Sequence, residues 1–214
     1  MIKFLILFFP FILMANSFQE NKITDQMIIK SFNDYENLTN KKINISEIRE
    51  NKFLMNAIYD LNFKTKKTKI NIYNSTKGEF SLVNIEVPRY KEALKELSKT
   101  NDLYSAWFAI SIIHDRLMLF DKEGKFSDRE LKNIVNTNYE NFLKTMTNNN
   151  ICYGYLLSIE YYKYYNNNNK KYIENLNSGY KKCYNSDINW IKQRIKSEYI
   201  QRKVYEKLHK GKNK

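Results

Sequence analysis

The chain has 214 residues, enough for one domain with a core of its own or for two small domains. It contains only 5 Gly and 2 Pro, which argues against a turn-rich β-sandwich or β-barrel and favours long helices joined by polar turns. Lys and Arg number 36 against 23 Asp and Glu, and a net charge of +13 attracts polyanions. The alternative is that the A/T-rich codons of Lys, Asn, Ile and Tyr raise the lysine count without a functional role.

The first 17 residues, MIKFLILFFPFILMANS, have the three parts of a secretory signal peptide. Lys3 supplies the positive start, an apolar run follows from Phe4 to Met14, and small residues end the segment. The run of 11 residues is shorter than the roughly 20 that span a bilayer. We expect cleavage after Ser17 and a periplasmic or secreted protein that begins at Phe18; an uncleaved anchor is the alternative. After cleavage we expect no transmembrane span, since no later run of 18 apolar residues occurs.

Two short amphipathic helices are predicted after the signal peptide, over residues 24–38 and 46–61. Thr24 and Ser46 stand at their starts as candidate N-caps. Residues 69–87 then alternate between apolar and polar side chains around a Ser-Thr-Lys-Gly turn, which favours a short β-hairpin. An extended connector is the alternative, because a lone hairpin is only marginally stable.

The rest of the chain is predicted to be helical. Residues 103–120 form the most apolar stretch after the signal peptide and predict a core helix. Ser127 and Glu130 have the spacing of a capping box for the next helix. The last helix begins after Asp187 and has a strongly basic outer face. Its predicted apolar stripe comprises Ile188, Ile191, Ile195, Tyr199, Val204 and Leu208.

Residues 150–187 predict a helical hairpin with a cysteine at each open end. Asparagines 166–169 are the predicted turn; Cys152 precedes this run by 14 residues and Cys183 follows it by 14 residues. At about 1.5 Å per residue, the two cysteines are level with each other. In an oxidising compartment such a pair is expected to form a disulfide; two separate buried thiols are the alternative.

Residues 103–187 contain an internal repeat, which appears when the sequence is aligned with itself at two different offsets. A shift of 49 residues aligns the first helices of two hairpins, and a shift of 41 aligns their second helices. The first-helix positions are Phe108, Ala109 and Ile112 in one unit and Leu157, Ser158 and Tyr161 in the other, and the second-helix positions are Tyr139, Tyr180 and Cys183. These positions resemble the tetratricopeptide repeat family and its Sel-like relatives, which implies antiparallel helix pairs stacked into a curved solenoid.

We therefore expect a mainly α fold of stacked, repeat-like antiparallel helical hairpins, with a small β-hairpin near residues 69–87. The N-terminal helical region is placed at residues 18–98 and the helical-hairpin region at residues 99–210. Residues 211–214 are expected to be a disordered tail.

The sequence offers no motif for catalysis, a metal or a cofactor. The two histidines, His114 and His209, lack the spacing of a zinc site, and no GxSxG, SxxK or P-loop sequence occurs. Residues 119–131 resemble a calcium loop, but Gly124 stands fourth and Glu130 tenth where that loop needs Gly sixth and Glu twelfth. We expect no catalytic residue, no metal and no cofactor.

Tyrosine is concentrated in the cysteine-flanked hairpin, which holds 9 of the 17 tyrosines. This is more than one helix face can bury, so we expect Tyr155, Tyr162 and Tyr165 to be partly exposed. Exposed tyrosine suits protein interfaces, and these three residues are the candidate binding surface. Codon bias combined with ordinary packing is the alternative explanation.

These features favour an exported, non-catalytic protein that binds a protein partner in the cell envelope. The alternative is a basic envelope protein that binds a polyanion or a glycan, such as lipopolysaccharide or peptidoglycan. The third hypothesis is an enzyme that acts on cell-wall glycan. The chain has enough Asp and Glu to supply a pair of carboxylates for glycoside hydrolysis, but nothing in the sequence indicates which pair. We expect no nucleic-acid partner.

Overall fold

A computed structural model describes residues 22–74, 79–114 and 129–209. The fold is mainly helical, as the sequence predicts, and includes one two-stranded sheet. The elements up to residue 97 are α1 (Asp25–Ser31), α2 (Tyr35–Thr39), α3 (Ile45–Glu50), α4 (Lys52–Phe63), β1 (Thr65–Asn74), β2 (Glu79–Pro88) and α5 (Tyr90–Leu97). The later elements are α6 (Leu103–Ile112), α7 (Arg129–Asn148), α8 (Cys152–Glu160), a π-helical turn (Tyr161–Tyr165), α9 (Asn169–Lys182) and α10 (Asn189–His209).

The chain forms two compact units whose segments alternate along the sequence. Within the described residues, the first unit comprises the chain up to Asn33, Asn44–Thr100 and Phe108–Thr137, and the second comprises Asp34–Ile43, Asn101–Trp107 and the chain from Asn138 onward. Both of the regions predicted from sequence, 18–98 and 99–210, therefore contribute segments to each unit. Among the described residues, no helix is both long enough and apolar enough to cross a membrane.

The first helix begins where the sequence predicts and ends earlier. Thr24 is its N-cap, and the hydroxyl of Thr24 accepts a hydrogen bond from the backbone N–H of Met27 at 3.3 Å. The predicted helix over residues 24–38 is nevertheless interrupted after Phe32, because Asp34 adopts a left-handed backbone conformation with φ 61°. Asp and Asn tolerate this conformation better than most residues, so a short polar segment breaks the helix into α1 and α2.

The second predicted helix is also two helices, and Ser46 is not its cap. Asn44 caps α3 through a hydrogen bond from the backbone N–H of Glu47. Asn51 then caps α4 by accepting hydrogen bonds from two backbone N–H groups. Asn, like Ser, has a short side chain that accepts hydrogen bonds and is therefore a good N-cap. The observed start of the helix lies within one turn of the predicted start. Leu54 and Ile58 on α4 are fully buried in the core of the first unit.

The predicted β-hairpin is confirmed and is longer than residues 69–87. Strands β1 and β2 are antiparallel, with Thr65 opposite Pro88 at one end and Asn74 opposite Glu79 at the other. The proposed Ser-Thr-Lys-Gly turn lies outside the described residues, as do residues 1–17, Ser127, most of the calcium-like sequence and the tail at 211–214.

The predicted core helix begins at Leu103 and is described to residue 114. Residues 104–110 are all buried, which agrees with the apolar character of this stretch on most sides of the helix. Within the first unit the rings of Phe32 and Phe108 stack at 5.7 Å, and within the second unit Tyr35 and Trp107 meet edge to face at 5.5 Å. The remainder of the predicted helix, residues 115–120, lies outside the described residues.

Candidate binding surface

The cysteine-flanked hairpin of the second unit is formed by α8, the π-helical turn and α9. Cys152 and Cys183 are joined by a disulfide with their Cα atoms 5.6 Å apart, as the symmetric spacing predicts. In the chain-entropy description, closing a loop with a sequence separation of 31 residues stabilises the fold by about 3.5–4 kcal/mol. The disulfide therefore holds the open end of the hairpin together. Whether residues 103–148 repeat the design of this hairpin stays a prediction.

Two glycines allow helix α8 to approach its neighbours closely. A Cβ atom at Gly154 would lie 2.5 Å from the Cβ of Met146 on α7. A Cβ atom at Gly179 on α9 would lie 3.1 Å from the Cβ of Tyr155. Tyr155 on α8 therefore lies between α7 and α9, and its hydroxyl donates a hydrogen bond to the backbone carbonyl of Thr147 on α7 at 3.2 Å.

The expected exposure of the three candidate tyrosines is wrong for two of them. Tyr155 is 7 % exposed and Tyr162 is 6 % exposed, whereas Tyr165 is 53 % exposed. The physical reason is that α7, α9 and α10 pack around the first helix of the hairpin from several sides, so it buries more than one face. Among the tyrosines of the π-helical turn, Tyr164 is also exposed.

An ion pair connects the tip of the hairpin to helix α10. The ammonium of Lys163 lies 2.5 Å from the Oε1 atom of Glu198, and the Tyr172 hydroxyl donates a hydrogen bond to the same oxygen at 2.6 Å. Burial alone would raise the pKa of Glu198, but the hydrogen bonds from Lys163 and Tyr172 outweigh it and hold this pKa below its usual value. Burial and the Glu198 charge both raise the pKa of Tyr172. The site is therefore an ionised pair with a neutral tyrosine at physiological pH.

A second ion pair connects the hairpin to helix α7. Lys171 on α9 pairs with Glu140, and Tyr162 also hydrogen-bonds to that carboxylate. The Lys171 hydrogen bond is the main reason that the pKa of Glu140 lies below its usual value. The Lys171 ammonium is 5.3 Å from the centre of the Tyr162 ring, within the range of a cation–π contact. These contacts explain why Tyr162 faces inward.

A groove of about 590 Å³ lies where the hairpin tip meets α10. It is lined by Tyr162, Lys163, Asn167, Asn169, Tyr172, Glu198, Gln201, Arg202 and Tyr205, and we call it the tyrosine groove. Its charged groups are already paired, since Lys163 binds Glu198 and Arg202 binds Glu206. The groove therefore offers an incoming molecule chiefly neutral hydrogen-bonding groups and ring edges.

Helix α10 has apolar residues on two opposite faces. Ile191 and Ile195 are buried against the hairpin. Ile200, Val204 and Leu208, which we call the outer stripe, are 49 %, 51 % and 68 % exposed. At 100° per residue the outer stripe is centred roughly 160° around the helix from the two buried isoleucines.

The single apolar stripe predicted for this helix is therefore wrong in its second half. The step of five residues from Tyr199 to Val204 moves the pattern to the other side of the helix. Val204 and Leu208 consequently face solvent. The four-residue spacing of Ile200, Val204 and Leu208 is visible in the sequence, and it is the signal that the prediction missed.

Basic residues accompany the outer stripe. Residues 189–209 contain six Lys and Arg and two Glu, a net charge of +4 for the helix. Lys203 lies 3.1 Å from Glu206, whereas Lys196 and Lys207 have no hydrogen-bond or ion-pair partner among the described residues. The exposed apolar surface is thus bordered by cations that are free to meet a negative charge.

The histidines and acidic residues form no cluster suited to a metal in the part of the chain that the structure describes. His209 stacks on the ring of Tyr205 at 4.1 Å, and its Nδ1 atom lies 2.8 Å from the Tyr205 carbonyl oxygen. His114 is half-buried at the end of the described part of the core helix.

No protein-family model, curated protein or solved structure matches the chain.

Proposed function

We propose that the chain is an exported, non-catalytic, helical-repeat-like protein that binds another protein in the cell envelope through the outer stripe of α10. The observation that carries this proposal is the exposure of Ile200, Val204 and Leu208 on the side of α10 opposite its buried face. Scattered exposed apolar residues are ordinary on protein surfaces, but a contiguous group marks an interaction site.

The spacing of the outer stripe supports a protein as the ligand. Three aliphatic side chains at four-residue intervals form a line along about two turns of helix, some 12 Å long. Such a line fits the groove of another protein or the apolar face of a second helix. Tyr205, which is also exposed, lies beside this line and adds an aromatic residue of the kind enriched in interfaces.

A rigid support for the outer stripe adds to this case. The Lys163–Glu198 pair and the buried Ile191 and Ile195 attach α10 to the hairpin, and the disulfide closes the hairpin itself. A surface presented on a fixed helix loses less conformational freedom on binding than a mobile segment does. Residues 1–17 support export, and hence an envelope location, through their signal-peptide pattern.

Binding of a glycan or polyanion is the second candidate, and the tyrosine groove favours it. The side-chain amides of Asn167, Asn169 and Gln201 border this groove and have no partner among the described residues. Amides and tyrosines are suitable groups for binding sugar hydroxyls. Polyanion binding would weaken steeply with added salt, whereas an apolar protein contact would not.

Site-specific photocrosslinking in the native envelope tests the proposed function. The photoreactive residue p-benzoylphenylalanine is placed at Leu208, and the matched control places it at Ile29, which is 50 % exposed on α1 of the first unit. We expect a protein adduct of defined mass from position 208 and not from position 29. The adduct should disappear when Ile200→Ser and Val204→Ser are added. The proposal fails if position 208 gives no protein adduct, or if both positions give the same adducts.

A further inference from the structure

The two edges of the outer stripe differ in charge. Lys196, Lys203 and Lys207 all project on one edge, within roughly 40° of one another at 100° per residue. The opposite edge carries the polar residues Gln201 and Tyr205. A partner that covers the stripe therefore meets a row of lysines on one side only.

The guanidinium of Arg202 lies 5.5 Å from the centre of the Tyr205 ring and is paired with Glu206. Arg194 projects on the same side of the helix as Gln201 and Tyr205, before the stripe begins. Its guanidinium lies 3.9 Å from the carboxylate of Glu160 on α8. The asymmetry of the two edges is therefore retained when the contacts of α10 are taken into account.

The lysine edge can accept negative charge. Lys196 and Lys207 are exposed and lack a partner among the residues that the structure describes. Lys203 shares Glu206 with Arg202. Opposite charges placed along the edge of an apolar helix contact fix the choice and the orientation of the partner helix.

Charge also argues against two other occupants. A second copy of α10 would bring another helix of net charge +4 against the lysine edge, and like charges so placed oppose association. An anionic bilayer is met best by a helix with cations on both sides of its apolar face. The cations on the side of Gln201 and Tyr205, Arg194 and Arg202, are already paired with Glu160 and Glu206.

We propose that the outer stripe binds an amphipathic helix of the partner protein whose apolar face is edged on one side by Asp and Glu. This inference rests on the proposed function, because it specifies the chemistry of the protein that the same surface binds. The aliphatic side chains supply the contact area, and the lysine edge selects acidic partners and sets their direction along α10.

Two synthetic three-heptad helices serve as probes for the intact, oxidised mature chain. Both carry Leu on the apolar face; one has Glu along one edge and the other has Lys at the same positions. We expect the Glu probe to bind at least roughly tenfold more tightly than the Lys probe, as followed by fluorescence anisotropy.

Charge reversal on the protein provides the matched comparison. The double variant Lys196→Glu/Lys207→Glu removes two unpaired cations from the lysine edge and is expected to weaken binding of the Glu probe roughly tenfold while improving binding of the Lys probe. The control Lys181→Glu/Lys182→Glu changes the same charge at exposed positions of α9. It should leave the ratio between the two probes unchanged.

Several outcomes would overturn the inference. For the probes, these are equal binding of the two helices or no binding of the Glu probe. For the variants, it is an equal effect of the control variant on the ratio between the probes. For the other occupants, they are a dimer in solution that Ile200→Ser/Leu208→Ser dissociates, or binding of phosphatidylcholine–phosphatidylglycerol vesicles in place of the Glu probe. The photocrosslinks at Leu208 separate this failure from that of the proposed function. If that position captures a protein through a neutral or basic segment, the acidic-helix inference is wrong and the proposed function stands; if it captures no protein, both are wrong.

Discussion

The carboxylate of Glu198 on α10 lies 2.5 Å from the ammonium of Lys163 at the tip of the hairpin, 35 residues earlier in the chain. This contact joins the helix that carries the outer stripe to the hairpin that the disulfide closes. Because the Glu198 carboxylate is largely buried and also accepts a hydrogen bond from Tyr172, it is positioned by two donors at once. The orientation of the outer stripe thus depends on a contact with Lys163, a residue far from the stripe in sequence.

Replacing Glu198 by Gln tests this connection. The variant Glu198→Gln keeps the shape of the side chain but leaves Lys163 without an anionic partner. We expect the free energy of unfolding at neutral pH to fall by about 1–2 kcal/mol, since hydrogen bonds to charged groups are stronger than neutral ones. Urea denaturation measures it. The control Glu174→Gln, at an exposed position of α9, should change stability by less than about 0.5 kcal/mol; equal effects of the two variants would contradict the prediction.

The same pair predicts how stability depends on pH. The pKa of Glu198 is lower in the folded chain than its usual value, because the hydrogen bonds outweigh burial. A carboxyl with a lowered folded-state pKa stabilises the fold above its unfolded-state pKa of about 4.3, and this stabilisation is lost as the pH falls through the folded-state value. The stability difference between wild type and Glu198→Gln should therefore be complete near neutral pH and shrink below about pH 4. A difference that stays constant over this range would show that the charge of Glu198 is not its source.

Glycine at position 154 is expected to be required for packing. In Gly154→Ala the new methyl group would lie 2.5 Å from the Cβ of Met146, so the helices must move apart. We expect a loss of about 1–3 kcal/mol, even after the roughly 1 kcal/mol that Ala gains over Gly in a helix. Gly179→Ala is the matched comparison, because its methyl group would be 3.1 Å from the nearest atom and needs only a small shift. Thermal and urea denaturation of both variants measure the difference, and a larger loss in Gly179→Ala would contradict the packing argument.

Local features of the fold could be predicted from sequence because they depend on nearby residues. The Thr24 cap requires only a hydroxyl before a helical pattern, and the disulfide requires only that two cysteines lie equally far from a turn. The β-hairpin follows from alternation along two adjacent segments. The break at Asp34 was missed because a left-handed residue is one of several conformations that Asp can adopt, and its neighbours decide which one occurs.

The candidate surface was harder to predict because it depends on which helices pack together. Tyr155 and Tyr165 are both tyrosines on the first arm of one hairpin, yet the close approach at Gly179 buries the first, whereas the second is exposed. The pairing of Lys163 with Glu198 joins separate helices and has no sequence signal. The outer stripe had a signal, but its exposure depends on Ile191 and Ile195 occupying the opposite face.

The disulfide gives a prediction in two measurements. Chain expressed in an oxidising compartment and denatured without reductant should contain no reactive thiol, because Cys152 and Cys183 are bonded to each other. The variant Cys152→Ser/Cys183→Ser should lose about 3.5–4 kcal/mol of unfolding free energy relative to the oxidised chain. The same variant should match reduced wild type in stability. Two reactive thiols in the unreduced chain would contradict the prediction.

The two apolar faces of α10 predict opposite responses to the same substitution. Ile195→Ala removes a side chain that is 1 % exposed and leaves a cavity against the hairpin, so we expect a loss of about 2–4 kcal/mol of unfolding free energy. Ile200→Ala, on the same helix, removes a side chain that is already half-exposed and replaces it with the residue that favours helices most. It should change the free energy of unfolding by less than about 0.5 kcal/mol. Because the outer stripe supports binding and not folding in our proposal, Ile200→Ala should still weaken the photocrosslink from position 208. Equal destabilisation by the two variants would mean that the outer stripe is covered by the chain itself, and the surface proposed for the partner would then be unavailable.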